Sequence, residues 1–182
     1  MAEGPVTESR WLTAGEQRAW RGYRRMRALL DLQIARDLAR DSDLSESDYD
    51  VLSTLTEGPL TPAQSVPAAQ AAGAPATPAD GAEPAWRATA LADRLLWSTS
   101  RLAHHVGRME RRGLVAKGTC GDDGRGATVF LTPAGRQVLQ NAAPLHVESV
   151  RRHFIDVLTP EEIDQLAAIT GKVLDHLATE GN

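Results

Sequence analysis

The segment "RLAHHVGRMERRGL", residues 101–114, sets His104 and His105 side by side among Arg101, Arg108, Arg111 and Arg112. Imidazoles and guanidiniums at this density suit three chemistries: metal ligation, acid–base catalysis, or recognition of an anion. Helical neighbours point about 100° apart, so adjacent histidines on a helix do not chelate one ion together. The zinc-protease arrangement needs histidines four residues apart with a glutamate between them, which this segment lacks. His146 and His153 share one face of a later helix but stand two turns apart, roughly 10 Å, too far for a common metal. No P-loop, glycine-rich dinucleotide motif or nucleophile elbow occurs, and the single cysteine, Cys120, has no paired catalytic signature. The sequence therefore points away from an enzyme: no catalytic residue, cofactor or resident metal is expected.

Anion recognition fits better once the charge is divided along the chain. The formal net charge is −4, yet residues 87–136 carry nine basic side chains against four acidic ones. An acidic body with one basic segment implies a local anion-binding surface. On a helical wheel Leu102, Val106 and Met109 form one apolar stripe. Opposite them fall Ser100, Arg101, His104, Arg108 and Arg111, with His105 and Arg112 at the flank. Ser98, Thr99 and Ser100 open the helix with short polar side chains suited to phosphates or base edges. Forked donors for guanine behind a small polar N-terminus are what a DNA recognition helix requires.

The elements that must position this face are legible around it. A helix over 13–41 starts at Thr13 with Glu16 three residues on, a capping box, and a second runs from Ser45, with Asp48 at its N3 position, to about Glu57. Residues 58–85 then hold six of the ten prolines and almost no large apolar side chain, which predicts a flexible or extended insert. A short helix over 88–95, a turn through Leu96–Trp97 and the basic helix over 98–112 make a helix-turn-helix. Gly113 stops the latter in a left-handed position. "LVAKG" (114–118) and "ATVFL" (127–131) read as two strands around a glycine-rich loop with Arg125 near its tip, the wing. An arginine on a narrow ribbon suits the minor groove. Thr132-Pro133 starts a helix running toward Val157, which Pro144 should kink or split. "LTPEE" starts the last one, striped by Ile163, Leu166, Ile169, Val173, Leu174 and Leu177. No stretch reaches the roughly 20 apolar residues of a membrane span. With no secretory leader and no possible intrachain disulfide, a cytoplasmic location is expected.

"LADRLLWSTSRLAHHVGRMERRGLV" with the following "GDDGRGATVFLTPAGR", and "LSESDYDVLSTL" upstream, resembles the multiple-antibiotic-resistance regulator (MarR) family of bacterial winged-helix proteins. The resemblance covers about 12–57 and 86–180. It implies a mainly α fold: a winged helix-turn-helix (45–135, with the 58–85 insert) between an N-terminal dimerisation helix (12–41) and C-terminal dimerisation helices (136–180). It further implies a homodimer on a pseudo-palindromic double-stranded DNA operator, with half-sites spaced by roughly 10 bp. By resemblance Ser98, Thr99, Ser100, Arg101, His104, His105 and Arg108 face DNA, Arg125 is the wing arginine and Asp123 braces it. Two features depart from the family pattern. The insert replaces a short connection, and Trp97 stands where a small or aliphatic turn residue is common.

The resemblance further implies a repressor released from its operator by a small aromatic or anionic effector. Trp11, Trp20, Tyr23 and Arg24 are the candidates for an effector cleft, although aromatic residues at this spacing are more often core. Cys120 reads as an inert wing cysteine. The competing reading is a winged-helix adaptor that binds proteins through its insert and has no DNA specificity.

Overall fold

Thr13 opens the first helix as a capping box requires: its hydroxyl accepts the Glu16 N–H at 3.3 Å, and Glu16 Oε2 accepts the Thr13 N–H at 2.7 Å. The structure, a computed structural model, describes residues 10–57, 85–119 and 127–180. Helix α1 (Ala14–Ser42) ends at Asp43, whose φ of 54° turns the chain into α2 (Glu46–Glu57). A two-residue strand β1 (Trp86–Arg87) leads directly into α3 (Ala88–Arg94) and then α4 (Thr99–Arg111). Strands β2 (Val115–Thr119) and β3 (Ala127–Leu131) follow, then α5 (Pro133–His153), a 3-10 turn (Ile155–Val157) and α6 (Pro160–Glu180). The fold is mainly helical with one small antiparallel sheet in the order β1-β3-β2, a winged helix-turn-helix between long helices. No helix among the described residues is long and apolar enough to cross a membrane. The insert lies almost wholly outside those residues.

The core is built where the helix-turn-helix meets the sheet. Val51, Leu52 and Leu55 of α2 pack with Leu91 of α3, with Leu102, Val106 and Met109 of α4, and with Val115, Val129 and Leu131 of the sheet. Each such side chain contributes about 1.5–3 kcal/mol on burial. Trp86, only 4% exposed, is drawn into this core while its backbone pairs with Val129. The sequence does not announce this third strand, because two residues are too few to display an alternation.

Helix α5 enters against the end of α4. Thr132 caps it, accepting the Gly135 N–H at 3.0 Å while its hydroxyl reaches the Gly113 carbonyl at 2.6 Å. A Cβ on Gly135 would overlap the Leu114 carbonyl oxygen, so glycine here permits the close approach. Pro144 does not split the helix; α5 is continuous through it and ends at His153, short of the expected Val157. Pro144 is exposed, as is Gln140, the residue four positions earlier whose carbonyl loses its usual donor, so water can take that place.

A single buried carboxylate fastens α1 to α5. Asp37, 2% exposed, accepts from Ser149 Oγ at 2.8 Å and Arg40 at 2.8 Å, and lies 2.8 Å from His153 Nε2. The Ser149 hydrogen bond, opposed by burial and aided by His153 and Arg40, lowers the Asp37 pKa from 3.8 to about 2. By contrast none of the residues of α6 is buried; Ile169, Val173, Leu174 and Leu177 all stand exposed. Replacing Asp37 by alanine is expected to cost about 3 kcal/mol in urea unfolding, because it strands the groups gathered on it. The wild-type carboxylate stabilises the fold fully above its ordinary pKa of 3.8, and that contribution disappears as the pH falls to about 2.

Candidate nucleic-acid interface

Helix α4 is amphipathic because its apolar residues recur every three or four positions, and the structure buries that stripe: Leu102, Val106 and Met109 are 2%, 1% and 0% exposed. Ser98 caps it, accepting the Arg101 N–H at 3.2 Å. The preceding turn passes through Leu96, whose φ of 55° is left-handed, and the Trp97 N–H donates to the Ala92 carbonyl at 2.9 Å. At the far end Gly113, with φ 73°, reverses the chain into β2. Ser98, Thr99, Ser100, Arg101, His104 and Arg108 are all exposed, as expected, and Arg111 extends the same polar side. Arg125 and Asp123, with Asp122 and Cys120, lie outside the described residues.

His105 requires a correction. The sequence places it at the edge of the exposed face, whereas the structure buries it to 6% exposure against α2. Its Nε2 lies 3.0 Å from Asp48 Oδ1 without an aligned hydrogen bond, and its Nδ1 is 2.7 Å from Arg108 NH2. Burial pushes the His105 pKa below its ordinary value; Asp48 opposes this and Arg108 reinforces it. The wheel missed the burial because it assigns angles on one helix and cannot see that α2 covers this flank.

Asp48 itself was legible only as a helix cap. It fills that role, accepting the Ser45 N–H at 3.1 Å, but its carboxylate also receives Arg112 NH1 at 2.7 Å. Arg112 NH2 reaches the Asp43 carbonyl at 3.2 Å, so the end of α4 is pinned to the turn between α1 and α2. Burial raises the Asp48 pKa, but Arg112 and the Ser45 groups outweigh it and hold the carboxyl below its usual value. Trp97 is half-buried against the core, and the Arg101 guanidinium lies over its ring at 4.1 Å from the centroid. Of the effector candidates, Trp11, Trp20 and Tyr23 are 85%, 52% and 49% exposed, so they belong neither to a cleft nor to a core within this chain. Trp20 stacks on Tyr23 at 6.0 Å, with Arg24 over the Trp20 ring at 5.9 Å.

A helix-turn-helix with an exposed basic second helix, flanked by a strand–loop–strand wing, defines a winged-helix DNA-binding protein. Neither a family model nor a curated protein matches the sequence. Solved structures do. AbsC, a MarR family transcriptional regulator from Streptomyces coelicolor, is 34% identical over 94% of this chain and 99% of its own, with a TM-score of 0.75. Sco3205, a MarR family regulator from the same organism solved in complex with DNA, is 34% identical over 94% of this chain and 92% of its own, with a TM-score of 0.76. The organohalide-sensing regulator RdhR, solved with 2,4-dichlorophenol bound, shares the fold at 16% identity and a TM-score of 0.66, covering 96% of this chain and 89% of its own. The chain belongs to the MarR family of transcriptional regulators, and it is a DNA-binding regulator of that family.

Asp48→Ala is expected to remove about 2 kcal/mol of stability and to speed amide hydrogen exchange along α4. Unchanged exchange there would show that the apolar stripe alone fixes the helix.

Proposed function

We propose that the protein is a homodimeric repressor that reads a pseudo-palindromic operator through Ser98, Thr99, Ser100, Arg101, His104 and Arg108 of α4, with Arg125 of the wing in the adjacent minor groove braced by Asp123. The observation that carries the reading is the division of α4 into a stripe buried to within 2% and an opposite side of exposed donors. The DNA complex of a relative 34% identical supports it. His105 leaves the set of base contacts because α2 covers it.

The dimer reading is supported by apolar surface that the single chain leaves uncovered. Helix α6 buries no residue, α1 exposes Trp20, Tyr23, Leu29 and Leu32, and Leu12 just ahead of α1 is exposed too. A face of this kind in a water-soluble DNA-binding protein calls for another protein surface, and two-fold pairing would also set two recognition helices about one DNA turn apart. In that arrangement Trp20 and Tyr23 become interface residues rather than the walls of a cleft. Release by a small aromatic effector is the proposed control, supported by the phenol-bound regulator of the same fold.

In gel-shift titrations on an operator selected from genomic fragments, Arg101→Ala and Arg125→Ala should each weaken binding about 10–100-fold with the dimer retained, the loss of one bidentate base contact. Full affinity in both variants would refute the assigned reading surface. Val173→Glu combined with Leu177→Glu should convert the dimer to monomer in sedimentation velocity, since two carboxylates would have to be desolvated in the interface. A persisting dimer would place the interface elsewhere.

A further inference from the structure

Three contacts converge on His105 from different directions, and none of them is made to solvent. Nδ1 meets Arg108 NH2 at 2.7 Å, Nε2 meets Asp48 Oδ1 at 3.0 Å, and the ring meets the Trp97 ring edge-on at 5.3 Å between centroids. The Trp97 ring in turn carries the Arg101 guanidinium at 4.1 Å. Arg101 and Arg108 are exposed, while the imidazole between them is buried.

We propose that His105 is a positioning residue for DNA reading: in its neutral form it holds Arg108 through Nδ1 and supports the Trp97 platform of Arg101, so that both arginines are set before DNA arrives. This rests on the assignment of α4 as the reading helix. A guanidinium has donors and no acceptor, so a ring nitrogen facing Arg108 must offer its lone pair. The ring proton then resides on Nε2, toward the Asp48 carboxylate. One tautomer turns the lone pair to Arg108 and the N–H to the side of Asp48, whose negative charge favours it. With NH2 engaged, the rest of the Arg108 guanidinium remains available in a fixed orientation, which lowers the ordering cost of binding.

Protonation destroys this arrangement. A second ring proton places Nδ1–H against Arg108 NH2, two donors face to face, and adds positive charge beside Arg101 and Arg108, which the Asp48 carboxylate opposes in part. Burial and the neighbouring arginines disfavour that state, which keeps the ring neutral at ordinary pH. As the pH falls, Arg108 loses its acceptor and reading weakens. Non-specific binding does not weaken, because added positive charge favours phosphate. The affected quantity is therefore the preference for operator over random DNA.

The experiment measures Kd for operator and for random duplex with wild type, Arg108→Ala, His105→Asn, His105→Gln and the double variant His105→Gln/Arg108→Ala, between about pH 8 and pH 5.5, where histidine titrates. Asparagine places an acceptor near the Nδ1 position; glutamine reaches toward Nε2 and leaves Arg108 without one. His105→Gln should lower operator preference about tenfold, His105→Asn should restore most of it, and the double variant should be no worse than Arg108→Ala alone, the signature of coupled residues. Wild-type preference should fall as the pH drops below the ordinary histidine value of 6.5, because burial lowers the His105 pKa. It should stay flat in His105→Asn and in Arg108→Ala. Arg108→Ala alters an exposed side chain, so its pH profile decides the question even if the His105 variants fail to fold. Multiplying losses in the double variant, or a wild-type profile no steeper than that of Arg108→Ala, overturns the proposal. Wild-type affinity in Arg108→Ala would instead overturn the assignment of the reading face.

Discussion

The buried carboxylate of Asp48 is the constraint on which the DNA-binding half depends. It closes the first turn of α2 through Ser45, receives Arg112 from the end of α4, and faces the imidazole of His105 from the middle of α4. Apolar packing of Leu102, Val106 and Met109 presses α4 onto the core, but such contacts are non-directional and tolerate rotation about the helix axis. The Arg112 ion pair and the close approach of His105, both to Asp48 and at two positions along the helix, do not. The apolar stripe supplies the adhesion, and Asp48 supplies the azimuth that decides which residues face outward.

Asp37 does for the long helices what Asp48 does for the recognition helix. In each case a carboxylate on an early helix is buried and collects donors from an element far away in sequence, Ser149 and His153 in one and His105 and Arg112 in the other. Directional polar contacts of this sort cost much if broken and add specificity to packing that would otherwise be loosely defined. Together they give a scaffold whose α1–α5 spine and winged helix each have a fixed geometry, while α6 projects an apolar side that the chain itself does not cover.

Much of this was legible in the amino-acid sequence because it is local. Capping boxes at Thr13 and Ser45, the cap at Ser98, the Thr132-Pro133 start and the Gly113 stop are decided by groups within a few residues of one another. The period of Leu102, Val106 and Met109 fixed which side of α4 is buried. Trp86–Arg87 escaped notice because a two-residue strand has no pattern of its own, and its existence depends on Val129 and Thr128 being presented across from it. Of the kink or split that Pro144 suggested, the split does not occur, because one missing N–H on an exposed side of a long, packed helix is too small a loss to end it.

The sequence by itself determined the elements, their order and the chemical character of the reading face, since caps, periodicity and charge act over a few residues. Tertiary structure alone decided the fate of His105. Its neighbours along α4 mark it as one more exposed donor, but α2 lies across that flank and brings Asp48 to Nε2. A side chain's angle on a helix follows from its number; what stands opposite it follows from how two helices pack, and that geometry belongs to the whole fold.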